Sequence, residues 1–495
     1  MAWFVMWHRG VCWLLLCAML GVACDRRVVA PPRAAQGVLD LRGWDFDANG
    51  PLPLDGEWLW YWQRLLSPAQ LAPTPQNQPP TSTGTYPFPR NWNGLTVGGQ
   101  PVPAEGYATF RLRVLLPRPG LYGLKHKMVN LASLLWLNDR LLTRSGTVAT
   151  DTAGYREQGV AQVGFFSTDE TVVDLTLQIA NFGFFRGGPR APILLGTADQ
   201  IAALRARNLM RETALLACSF IIGVYQVILF LLRRRERGPL YLGIFCLLHS
   251  VWIALQGELI LTMLLPMVPY DYMRKIEYLT LSFMPPVFLR FVDSLYPELL
   301  SRSVRRVSEL AFLGFATVVV CAPANIYTRA LITTQITCFA IVVYMVVRLI
   351  YCIRRNWTDY YLFTFGCISL AFGVSIDIIN IVTQPLAIVP VSPYAVLELM
   401  FTDAIILARK SARAHATVET QALTLERVSR AYYRFVPQAF LHLLGKQDIT
   451  TVELGDQTQR TMTVLFADVR GFTTLSEKMT PEENFTSINR LLRDL

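Results

Sequence analysis

The sequence predicts a multi-domain membrane protein: an exported all-β sandwich or jelly roll, a seven-helix transmembrane bundle, a cytoplasmic coiled-coil helix, and a short α/β segment. Three observations predict it. Of 495 residues, 52% are hydrophobic and only 17% charged, against roughly 25% charged in soluble domains. Long apolar blocks begin after Ala202, and arginine clusters such as Arg233-Arg234-Arg235-Glu236-Arg237 punctuate them. The stretch before them is instead rich in Gly, Pro and Trp with short alternating segments. The net charge of +10 is therefore written into short loops, as membrane topology is. It forms no folded basic face, so no nucleic-acid partner is expected.

Residues 1–24 read as an export signal: His8 and Arg9, an apolar core from Val11 to Val22, and the small-residue exit Gly21-Val22-Ala23. The core is about a dozen residues, short of the roughly twenty that span a bilayer. Cys24 follows the exit as in a loose bacterial lipobox, with Leu20 displaced by one position, so lipidation, ordinary cleavage and an uncleaved anchor all stay open.

Residues 39–195 carry the β domain. Tyr107 to Leu116 alternates with period two, Ser133–Leu137 and Arg140–Leu142 flank the turn-forming Asn138-Asp139, and Val172 to Ala180 is a further strand. Jelly rolls often bind sugars, so carbohydrate is one class of external ligand for Trp44, Trp58, Trp60, Trp62 and Trp92. Core packing is the reading favoured for these aromatics.

Residues 208–408 hold seven apolar spans, near 213–232, 239–261, 278–295, 307–324, 330–352, 360–383 and 394–407. Every second connection is basic (Arg233 to Arg237; Arg302, Arg305 and Arg306; Arg354 and Arg355; Arg409, Lys410 and Arg413), whereas Arg274 and Lys275 break the pattern on the other side. The positive-inside rule puts the basic loops in the cytoplasm and the β domain outside. Glu258, Arg290, Asp293, Asp377, Glu398 and Asp403 lie in or near the spans. Interior hydrogen bonding or an interfacial position is the reading favoured for most of them.

Residues 409–435 form the cytoplasmic helix. Leu407, Ser411, Ala414, Val418, Gln421, Leu425, Val428, Tyr432 and Phe435 recur with 4,3 spacing, an a/d seam that favours a parallel pair and hence a homodimer, while its two polar members leave a solvated single helix as the alternative. Residues 461–468 then read as an apolar strand ending in Asp468, followed by a turn at Gly471. Thr480-Pro481-Glu482-Glu483 starts a helix with its cap, its proline and its third-position Glu in order. A carboxylate at a strand end beside loop amides can hold Mg²⁺ and a polyphosphate.

Phe435-Val436-Pro437, Leu443-Leu444-Gly445-Lys446, Val452 to Asp456, and Thr463 to Asp468 with Val469, Arg470, Gly471, Phe472 and Thr473 resemble the opening of a class III adenylate/guanylate cyclase domain. Its fold in that family is α/β, ferredoxin-like. With the upstream order, the chain resembles bacterial seven-transmembrane receptors with diverse intracellular signalling modules. The resemblance implies that Asp468 is the first of two metal aspartates, that the Val469 carbonyl assists a Mg²⁺ or Mn²⁺ ion, and that amides at Gly471, Phe472 and Thr473 cradle the triphosphate of ATP, with GTP less expected. Residues 436–495 would be the N-terminal part of that domain. Leu495 lies 27 residues after Asp468, and the family's second aspartate, base-reading residues and transition-state residues belong downstream. The 495-residue chain is therefore expected to be inactive alone. The alternative is a non-enzymatic receptor whose cyclase remnant binds a partner.

Overall fold

The structure, a computed structural model, describes residues 29–72, 78–127, 130–353, 357–383, 391–435, 438–447, 451–464, 466 and 468–494. The export signal, Cys24, Arg354, Arg355, Val436 and Pro437 lie outside them. Residues up to Lys410 form one unit and those from Ser411 a second.

The first unit opens with an all-β region. One sheet has the order β10 (Arg140–Ser145), β9 (Ala132–Leu137), β12 (Val172–Asn181), β7 (Gly106–Leu115), β3 (Gly56–Trp62), β4 (Gly84–Phe88), with β1 (Val38–Asp40) parallel to the end of β7. A second has the order β11 (Ala161–Thr168), β8 (Gly120–Lys127), β13 (Leu194–Thr197), β2 (Leu52–Pro53). A small ribbon joins β5 (Thr96–Val97) to β6 (Gln100–Pro101), and short helices α1 (Phe46–Asn49) and α2 (Pro68–Leu71) fill connections. Alternation in β7 sends Ala108, Phe110, Leu112 and Val114 inward and Arg111 and Arg113 outward, where both arginines pair with Asp174 of β12 at 2.9 Å. Asn138, with φ +49°, turns the expected β9–β10 hairpin.

One apolar core is built from both sheets, with Phe110, Leu112, Leu135 and Leu177 from the first and Tyr122, Leu124, Phe166 and Leu195 from the second. Trp44, Trp58, Trp60 and Trp92 belong to it and Trp62 packs against it. The indole N–H groups of Trp44, Trp58 and Trp92 donate to the Gly50, Leu54 and Ala104 carbonyls. Trp44, Trp58, Trp60 and Trp92 are therefore filling, and Trp62 is half-buried beside them.

His126 on β8 is buried. Its Nε2 meets Thr143 Oγ1 at 2.6 Å while Nδ1 is enclosed without a partner. Burial pushes its pKa from 6.5 down to about 4. The folded chain therefore holds the neutral ring, and stability is complete above pH 6.5. Protonation of the unfolded state alone removes about 3 kcal/mol as pH falls from 6.5 to 4. Asp55, pushed up to about 6 by burial, acts with the opposite sign, because its protonated form is the one the fold prefers. Denaturant unfolding of the chain at pH 4, 5 and 6.5 is expected to show a steeper acid loss in Asp55→Asn and a reduced one in His126→Gln. Parallel curves for both variants would refute the assignment.

The sheet leads directly into helices. Thr197 ends β13 and caps α3 (Ala198–Leu232), its Oγ1 accepting from Gln200 N while Gln200 returns to Thr197 N. There follow α4 (Gly238–Ala254), the single turn α5 (Ile260–Leu264), α6 (Tyr270–Leu295), α7 (Arg302–Cys321), α8 (Ala324–Ile353), α9 (Trp357–Thr383) and α10 (Ser392–Phe435). Two of them, α3 and α8, are long and apolar enough to cross a membrane by length and composition. The expected span 239–261 is cut short. α4 stops at Ala254, and Gly257 (φ +53°) and Leu259 (φ +60°) turn the chain in the left-handed region. Pro285 and Pro286 lie inside α6 without ending it.

In the second unit, Val418, Leu425 and Val428 of the seam are exposed along α10. Then come α11 (Gln438–Leu443), α12 (Phe472–Ser476) and α13 (Pro481–Asp494). The described residues of the expected strand over 461–468 form no strand, and no α/β cyclase-like sheet occurs among the described residues. Val464 and Phe466 point to solvent. A strand needs a hydrogen-bonded neighbour, and no described strand pairs with these residues, so β propensity alone does not make them a strand.

Candidate functional site

Gly471 adopts φ +71° directly before α12, a conformation that disfavours a side chain although the space around it is open. Asp468 Oδ1 accepts from Val469 N at 2.9 Å, the Val469 carbonyl accepts from Phe472 N at 3.2 Å, and the Gly471 carbonyl accepts from Leu475 N at 3.0 Å. The Thr473 carbonyl accepts from Glu477 N and from Ser476 Oγ. Asp468, Val469, Gly471, Phe472 and Thr473 thus share one exposed turn. The capping box that follows is present: Glu483 Oε2 accepts from Thr480 N and Oγ1, both at 2.9 Å.

This turn does not make a metal centre by itself. It offers one carboxylate, already engaged by its neighbour's amide, and one carbonyl engaged within the turn. Mg²⁺ takes near-octahedral oxygen ligands, and no group of three His, Cys, Asp or Glu suited to an ion occurs among the described residues. Of the two-metal site implied by the resemblance the turn supplies one carboxylate and does not complete it, so no chemical step is derived through it.

A second polar assembly lies where the β region meets the helices. The Lys125 ammonium on β8 pairs with Glu258 in the loop after α4; their side chains are 9% and 4% exposed. Asn208 Nδ2 on α3 adds a bond to Glu258 Oε1 at 3.2 Å. The Glu258 amide donates to Glu212 Oε2 at 2.7 Å. That approach requires glycine at 257, where a Cβ would lie 1.9 Å from Glu212 Oε1. Beside it, Arg274 is 1% exposed and holds both Glu157 of the β region and Asp271 at 2.6 Å, with Tyr327 OH at 2.8 Å from its Nε. Tyr270 OH donates to Asn130 Oδ1 at 3.0 Å. Arg274 had stood out only as a breach of loop charge. Lys125 and Glu157 gave no signal, because their partners lie more than a hundred residues away in sequence.

Four of the other ionisable groups expected in or near the spans have partners. Arg290 meets Glu309 at 2.9 Å, Asp293 pairs with Arg305, Glu398 accepts from Ser369, and Asp377 accepts from the amides of Val391 and Ser392 at 2.8 and 2.9 Å. Both oxygens of the buried Asp403 have no hydrogen-bond partner among the described residues.

Residues 209–409 match the model of the family described as 7TM diverse intracellular signalling. A stretch of 68 residues is 40% identical to an adenylate cyclase of Anabaena cylindrica, covering 14% of this chain and 14% of that protein. The chain thus spans a small part of the curated relative it matches. Solved structures with a matching portion include the β-glucuronidases of Faecalibacterium prausnitzii (15% identity, 29% of this chain, 31% of that chain, TM-score 0.22) and Ruminococcus gnavus (12%, 29%, 27%, 0.22). Likeness at that score bears on neither fold nor function. An all-β N-terminal region therefore precedes a helical signalling domain of the seven-transmembrane type.

Proposed function

We propose that the protein is a membrane receptor whose output is control of cyclic nucleotide synthesis, the conversion of ATP to 3′,5′-cyclic AMP and pyrophosphate. The observation that carries this reading is the presence, on one chain, of the signalling-family match at 209–409 and a 40% likeness to an adenylate cyclase. In this reading the β region faces outside the bacterial inner membrane, receives the stimulus, and acts on the helices through the Lys125–Glu258 and Arg274–Glu157 pairs. The exposed Val418, Leu425 and Val428 on α10 are the seam for a second copy, which supports a homodimer. Asp468 and the Gly471–Thr473 turn belong to the nucleotide and Mg²⁺ or Mn²⁺ site, whose other ligands come from beyond this turn.

The test is cyclic nucleotide production by membranes carrying the 495-residue chain, and by membranes carrying it together with any coding sequence that follows Leu495. Each is assayed with ATP or GTP, Mg²⁺ or Mn²⁺, and with Asp468→Ala. Cyclic AMP from the longer chain that disappears with Asp468→Ala is the expected result. No product from either chain would leave a receptor without catalysis.

A further inference from the structure

A groove of 550 Å³ opens between α4, α6 and α7, within the roughly 300–1,000 Å³ of small-molecule sites. Each helix lends one stripe to it. Phe283, Val287 and Arg290 recur along α6, Arg306, Leu310 and Leu313 along α7, at the three- and four-residue steps that share a helix face. Because α6 ends at Leu295 and α7 begins at Arg302, their charged residues stand at the same end and their apolar residues at the other. The groove is therefore charged at one end only. From Arg290 to Phe283 it runs about 10 Å, the rise of seven helical residues, and its apolar wall from Val287 to Phe283 about 6 Å.

Charge at the polar end is not balanced. Arg290 is held by Glu309, and Arg305 by Asp293. Arg306 is exposed, and neither it nor Arg302 is paired among the described residues. This is also an end with expected cytoplasmic loops, since Arg233 to Arg237 precede α4. At the other end Phe283, Leu310 and Leu313 are substantially exposed, so the apolar wall is open sideways. Pro286 has no amide hydrogen to give the Ser282 carbonyl, and Ser282, whose hydroxyl is turned back to the Tyr278 carbonyl at 2.7 Å, lines the groove.

We propose that this groove is a binding site for one anionic phospholipid of the cytoplasmic leaflet. An acyl chain lies along Phe283, Val287 and Leu313, and the phosphate meets the Arg306 guanidinium. Complementarity fixes the ligand class: an unbalanced guanidinium selects an anionic head, and a one-sided apolar trough open to the bilayer selects a chain. The proposal rests on reading 209–409 as membrane-embedded, and it is independent of cyclase output.

The chain is reconstituted in nanodiscs of equal phosphatidylglycerol and phosphatidylcholine, released into mild detergent, and its retained lipids are counted by native mass spectrometry. The expected result is one tightly held lipid, enriched about fivefold for phosphatidylglycerol, the discrimination of one arginine near the surface. Arg306→Gln brings the ratio close to unity while a lipid is still held. Leu313→Trp, which fills the trough, removes the lipid of either head group. Added glycerol phosphate, which has the head without the chain, leaves the count unchanged. Equal retention of the two lipids in the wild type, an enrichment that survives Arg306→Gln, a lipid that survives Leu313→Trp, or displacement by glycerol phosphate would each overturn the proposal. A chain that washes from membranes in alkaline carbonate would instead sink the membrane reading, and the lipid site with it.

Discussion

Glu258→Leu destabilises the folded chain by about 3–5 kcal/mol, the usual consequence of stranding one charge of a buried pair. The Lys125 ammonium is nearly inaccessible, and with Glu258 gone it has no ion-pair partner among the described residues at the β-region–helix junction. Asn208 Nδ2 loses its acceptor at the same time. The double variant Lys125→Met/Glu258→Leu is expected to recover most of the loss, since an apolar pair of similar volume replaces two desolvated ions. Chemical denaturation in detergent, read by tryptophan fluorescence, measures both. If the single variant unfolds at the wild-type denaturant concentration, the junction is not held by this pair.

Trp58→Ala is expected to cost about 3–5 kcal/mol, as for other large-to-small changes of buried aromatics. The side chain has no exposed surface, its ring stacks on Phe88 at 4.3 Å between centroids, and its Nε1 donates to the Leu54 carbonyl at 2.9 Å. Removing it opens a cavity where both sheets meet and leaves that carbonyl unpaired. Trp58→Phe keeps most of the volume and loses mainly the hydrogen bond, an effect of about 1–3 kcal/mol. The same denaturation assay separates the two. A Trp58→Ala chain as stable as Trp58→Phe would mean that the core closes over the space.

Local chemistry was legible where the sequence itself supplies both partners. Asn138-Asp139 gave the hairpin, Thr480 and Glu483 gave the cap of α13, and alternation gave β7 and β12. Each is set within a few residues. The loop at 255–259 was hidden because Leu259, Ile260 and Leu261 continue the apolar run of α4, and hydropathy does not register that Gly257 takes a positive φ. The junction was hidden for a different reason. Lys125 and Glu258 come together through tertiary packing across 133 positions, a distance no periodicity spans. Residues 461–468 show the converse failure: their pattern is that of a strand, but a pattern supplies no neighbour to pair with. Asp468 and the turn at Gly471 were legible from their order alone, while Thr473 came only with the family resemblance. The ligands that would complete a metal site are not specified by that turn.

The join at Thr197 has a mechanical consequence. Strand β13 passes into α3 at consecutive residues, with Thr197 both closing the strand and capping the helix. Ile201 is fully enclosed against Gly123 of the neighbouring strand, and Gln200 Nε2 is tied to the Phe46 carbonyl at 2.6 Å. There is no slack segment in which a displacement of the sheet could dissipate. The helix is therefore a lever clamped at its root. Its 35 residues reach about 52 Å, so a tilt of about 5° at the sheet moves the far tip by roughly 4.5 Å.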